Sequence, residues 1–135
     1  MSFSGSQADQ IAIRALVDSY ADAVFRRDGN AWIACWSDHP KWDLAGTVIE
    51  GRETVLGAWQ QAMSGFAFVA FFSQVGSIMV SEEMATMRLY THEFLELQDG
   101  TKQRVLGQYD DDLVKQSGEW RFAHRKFQIN KEWSA

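Results

Sequence analysis

Apolar residues recur along the first part of the chain with the period of a helix. Ile13, Leu16, Val17, Tyr20 and Val24 fall on one stripe, with Ser6 placed to cap the helix and Asp9 in its first turn. Phe25 stands about 120° from Ile13 on the helical wheel, on the flank of that stripe. Asp28, Gly29 and Asn30 break the pattern with capping chemistry, and residues 31–36 read as a short second helix. SDHPKWDLAG reads as a loop followed by a short strand. Gly51 then opens a third helix from Arg52 to about Met63, with Val55, Leu56 and Trp59 on one side.

From there the texture changes to long segments rich in aromatic and β-branched residues, at 67–80, 84–97, 102–115 and 119–130. The separators SEE, QDG and QSG read as hairpin connections. Helices first and antiparallel strands afterwards predict an α+β fold, with helices on one face of a bent sheet. Strand parity sorts the faces. In the second long strand Ala85, Met87, Leu89, Thr91, Glu93 and Leu95 share the side expected to meet the helices, and Arg88, Tyr90, His92 and Phe94 share the other. In the fourth, Ala123, Arg125, Phe127 and Ile129 alternate with Phe122, His124, Lys126 and Gln128. A one-residue bulge would reverse either assignment.

At 135 residues, with 46% apolar residues including nine Phe and six Trp, the chain reads as one domain with a substantial core. Thirteen basic against eighteen acidic side chains give a net charge of -5, which disfavours nucleic acid as a partner. No apolar run approaches the ~20 residues of a membrane helix and the first residues lack a leader pattern, so the expectation is a cytoplasmic protein without membrane contact.

Glu93 is the acid of most chemical interest, because on the inner face a carboxyl is partly desolvated and its pKa raised towards general acid–base work. The competing reading turns it to solvent or pairs it with Arg125. Asp110, Asp111 and Asp112 alternate across a strand and so do not form a cation cage; solvation or pairing with Lys102 or Arg104 is expected. Tyr109 shares a face with Asp111, and either donates its hydroxyl to a ligand or caps a buried polar group. His39, His92 and His124 have no metal spacing, so neither metal nor cofactor is expected. Cys35, the single cysteine, sits among apolar residues as a structural thiol. Trp42 and Trp32 either stack on a flat ligand or anchor the core. Trp133 either closes the mouth of the fold or lies on the outer sheet face.

IRALVDSYADAVFRRD at 13–28, Gly51, and GQYDDDLVKQSGEWRFAHR at 107–125 resemble the SnoaL-like families of the nuclear-transport-factor or cystatin-like superfamily, over about residues 8–130. The resemblance implies a cone: three helices closing a strongly curved, mostly antiparallel sheet around an apolar pocket. It also implies a site, since dehydratase and dehydrochlorinase members pair an Asp at the end of the first helix with a proton-abstracting His on the first long strand. Those positions fall here on Phe25 and Phe71, neither of which handles protons. The two rings are expected to face each other, either as a pocket wall or as solid core.

The leading expectation is therefore a domain that binds an apolar or aromatic small molecule without the Asp–His dyad, through Phe25, Trp42, Phe71, Thr91 and Arg125, the last meeting a ligand oxygen. The alternatives are a dehydratase-like lyase or isomerase using Glu93 or Tyr109, and a scaffold subunit of a larger oxygenase-type complex. A homodimer through the sheet face is similar to what such folds form.

Overall fold

A computed structural model describes residues 2–134. The chain runs β1 (Phe3–Ser4), α1 (Gln7–Arg26), α2 (Gly29–Ala34), β2 (Trp36–Leu44), β3 (Thr47–Glu50), α3 (Arg52–Ser64), β4 (Phe66–Ser81), β5 (Met84–Leu97), β6 (Lys102–Gln116) and β7 (Glu119–Ser134). One seven-stranded sheet has the order β1-β4-β5-β6-β7-β2-β3. Its pairings are antiparallel except for β1 on β4 and β2 on β7. The three helices pack on the curled sheet, the α+β cone that the order of elements predicts.

The helix ends carry the caps written in the sequence. Ser6 accepts from the Asp9 amide at 3.0 Å to start α1, and Asp28 accepts from the Ala31 amide at 3.0 Å to start α2. Between them Arg27 takes a left-handed conformation, its N–H returning to the carbonyls of Ala23 and Val24. The stripe Ile13, Leu16, Val17, Tyr20 and Val24 is buried against the sheet, joined by Trp32 from α2 and Val55 and Trp59 from α3. Trp32 lies stacked on Trp59 at 4.8 Å, and Tyr20 meets Phe122 edge-on at 5.5 Å.

Two expectations need correction here. The second helix stops at Ala34, and Trp36 begins a nine-residue strand where a loop and a short strand were expected. Pro40 has no N–H for a ladder, and β2 accommodates it where its register on β7 shifts between Trp36 and Lys41. In β7, a register shift opposite Asp112/Leu113 leaves Ala123 unpaired, so Phe122 and Arg125 both turn inward although simple alternation puts them on opposite faces. A second shift, opposite Leu106/Gly107, leaves Asn130 unpaired, and Ile129 just before it is exposed.

Candidate functional site

Strand β5 carries Met87, Leu89 and Thr91 into the core and sets Glu93 next on the same face, half-buried, where the cone begins to open. Its register neighbours are Phe71 on β4 and Val105 on β6, both buried. The Glu93 carboxyl accepts from the Thr91 hydroxyl at 3.4 Å, and among the described residues no other side chain hydrogen-bonds to it. Burial pushes its pKa up to about 7, only partly offset by that bond. A carboxyl poised there exchanges protons near neutral pH.

Tyr109 stands close enough for the Glu93 charge to act on it. Its hydroxyl accepts from Trp42 Nε1 at 3.2 Å, and burial raises its pKa well above the ordinary phenol value, so it stays protonated. Beneath it lies the most deeply buried charge in the fold. Arg125 donates through Nε and Nη2 to the two carboxylate oxygens of Asp111 at 2.8 and 3.1 Å, with both side chains fully buried. The guanidinium is enclosed by the rings of Tyr109, Phe122 and Tyr20 at 3.7, 4.0 and 4.5 Å. Burial alone would lower Arg125 and raise Asp111. The two-point contact nevertheless marks an ion pair: burial is the largest single influence on Arg125, and the Asp111 charge and hydrogen bond together with the Tyr20 and Tyr109 hydroxyls outweigh it and keep the guanidinium protonated.

The structure brings Thr91, Glu93, Tyr109 and Trp42 together and separates the remaining predicted site residues. Phe25 does not face Phe71. It is 42% exposed and packs edge-on against Phe72 at 5.3 Å, because α1 passes the margin of β4 and meets a ring on the other parity. Phe71 fills core against Tyr20 at 5.7 Å. Arg125, expected to meet a ligand oxygen, and Asp111, expected to be solvated or to pair with Lys102 or Arg104, instead hold each other. Arg125 Nη1 is left over from that pair, and like Trp32 Nε1 and Trp36 Nε1 it is buried without an acceptor among the described residues. Sequence reasoning missed Tyr20 and Phe127 as neighbours of the cluster. Tyr20 had a signal, as the one polar-tipped member of the first helical stripe.

The remaining candidates fall outside the cluster. His92 Nε2 lies 3.3 Å from Arg104, and His124 faces Asp112 at 4.0 Å across half-exposed outer positions. Trp133 lies on the outer face, with the Arg104 guanidinium 4.7 Å from its ring. The Cys35 thiol is buried and its pKa is pushed up to about 11 by desolvation, which leaves it inert near neutral pH. Among the described residues no three His, Cys, Asp or Glu side chains gather as a metal site. An open cleft of about 560 Å³ lies between α1, α2 and the β6–β7 turn, and another of about 350 Å³ on the outer face beside Arg88, Asp110 and Lys126.

A curled seven-stranded sheet closed by three helices, with an ion pair at its centre, defines the cystatin-like α+β cone. The SnoaL-like domain model matches residues 6–126, and the chain belongs to that family. No curated protein matches it in sequence. Solved structures share the fold at low identity. A candidate aromatic ring hydroxylase from Novosphingobium aromaticivorans is 19% identical, with a TM-score of 0.89 over 98% of this chain and 96% of that one. A candidate scytalone dehydratase from the same species is 17% identical, with a TM-score of 0.86 over 95% and 88%. The hexachlorocyclohexane dehydrochlorinase LinA-type3 from Novosphingobium barchaimii is 15% identical, with a TM-score of 0.82 over 95% and 90%. At these identities the likeness carries the fold and not the reaction.

Proposed function

We propose that this SnoaL-like domain binds a small molecule on the inner face of the cone, with an apolar, ring-containing body and an oxygen-bearing group directed at Glu93. The observation that carries the reading is the Glu93 carboxyl itself: desolvated, held by one hydroxyl, and reachable because it is only half-buried. The aromatic rings of Trp42, Tyr109 and Phe127 supply apolar surface beside it, and the unpaired N–H groups of Trp32, Trp36 and Arg125 supply spare donors deeper in. Phe at 25 and 71 supports a site that works without the Asp–His pair. Calorimetric titration with 2-naphthol, 2-naphthoate and a steroid ketone tests the reading. Binding that weakens in Glu93→Gln is the expected result, and a panel that leaves the protein silent overturns it.

A second reading, proton transfer by a lyase or isomerase, is favoured by one specific observation, the Glu93 pKa near 7. In that reading the carboxylate takes a proton from carbon next to a carbonyl, the C–H electrons move onto the carbonyl oxygen, and the Tyr109 hydroxyl stabilises the enolate by a hydrogen bond. The protonated Glu93 then returns its proton to carbon. Arg125 acts only through Tyr109, whose ring it supports. Deuterium uptake into an added enolisable ketone, followed by NMR, distinguishes catalysis from binding. Uptake at equal rates with native protein and Glu93→Gln removes Glu93 from the chemistry.

A further inference from the structure

Gly107 lies in the middle of β6, paired with Thr91 on one side and Ile129 on the other, at a backbone conformation any residue adopts. What distinguishes the position is space. A Cβ built there would come within 2.6 Å of Phe127 Cζ and of the Thr91 hydroxyl oxygen, and nearer still to Phe127 Cε1. The Phe127 ring and the Thr91 hydroxyl that bonds Glu93 therefore both pack into the space a side chain at Gly107 would fill. The Phe127 ring also meets the Tyr109 ring at 4.8 Å. Phe127 is only partly buried, so its ring reaches from the Gly107 backbone and the core to the protein surface.

We infer that Phe127 is the wall that selects ligands for the Glu93 site by width, and that Gly107 is the positioning residue that gives the ring its seat. This rests on the ligand reading above. A flat ring system slides along Phe127 towards Glu93, whereas a broader one meets its edge. The same ring keeps water from Thr91 and Glu93, so the environment of the carboxyl depends on a side chain that makes no hydrogen bond to it. Nothing in a strand alternation pattern marks Gly107 for this, because the need for a missing side chain arises from a ring on the neighbouring strand.

The test uses the full chain with Phe127→Leu, Gly107→Ala and Gly107→Ala/Phe127→Leu, with folding followed by circular dichroism. The first readout is the ionisation of Glu93, taken as the carboxyl ¹³C signal lost in Glu93→Gln. The second is the ratio of dissociation constants for 9-phenanthrol and 2-naphthol. Phe127→Leu is expected to move the Glu93 titration down towards the ordinary carboxylate range and to shift the ratio about tenfold in favour of the wider phenol. Gly107→Ala is expected to move both in the same direction by displacing the ring, and the double variant to add little further. A folded Phe127→Leu protein whose Glu93 titrates as in the native chain overturns the wall, whatever Gly107→Ala does. A moved titration with neither phenol bound to any variant overturns the selection and, separately, the ligand reading beneath it.

Discussion

Arg125, Asp111 and Glu93 are ionisable groups drawn into the fold, and they differ in whether each has an opposite charge beside it. Arg125 and Asp111 are fully buried and hold each other through two hydrogen bonds, so removing one strands the other in a medium that cannot solvate it. Arg125→Met is expected to lower stability by about 3–5 kcal/mol in urea unfolding, and pairing it with Asp111→Leu to recover most of that loss. Glu93 has no such partner. Its folded pKa of about 7 lies above the unfolded value near 4.5, so proton binding favours the folded state. Its contribution is whole below about pH 4.5 and is lost as pH rises through about 7. Glu93→Gln should flatten the stability profile across that window, by up to about 3 kcal/mol at its alkaline end, read from unfolding curves at successive pH values. The face occupied by Glu93 was legible from alternation along β5. The partnership of Arg125 with Asp111 was not, because the two residues lie on separate strands and Glu93 was as good a partner by parity.

At the scale of elements, the helices followed from local chemistry and the strands did so only in part. Caps at Ser6 and Asp28 act over three residues, which is why they could be read directly. Asp28 both caps α2 and accepts from Arg26 at 3.1 Å, so Asp28→Ala is expected to lower the midpoint of thermal unfolding. The long strands had the expected limits to within a residue or a few. Their faces diverged where bulges intervene, and a bulge is a contest between two strands rather than a property of either. Ala123 is the clearest case: by dropping out of register it brings Phe122 onto the same core as Arg125, and together these enclose the ion pair. Strand β2 was under-read because Pro40 and the polar run around it look like a loop until β7 and β3 are present to pair with them.

For the whole molecule, a sheet of seven strands curls so that its inner face packs against the three helices and its outer face stays open to solvent. The chain carries a net charge of -5 near neutrality and has a pI of about 5.1, so solubility should pass through a minimum near pH 5 and recover on either side, as light scattering would record. The pairing of β2 with β7 and of β1 with β4, strands far apart along the chain, also predicts slow folding for the size, with relaxation in roughly the millisecond-to-second range by stopped-flow fluorescence of the six tryptophans.

The family rested on the motifs at 13–28, Gly51 and 107–125, whereas periodicity, caps and turn residues by themselves determined the three helices, the four long strands, the α+β class and the inner face of β5. These depend on interactions between residues close along the chain or on a repeat of two or 3.6. The tertiary structure alone decided that Phe25 turns outward to Phe72, that Arg125 is held by Asp111, and that Phe127 lies across Gly107 beside Glu93. Each of those is a choice among partners that are equivalent in spacing and differ only in which atoms the curvature of the sheet brings within a few ångströms.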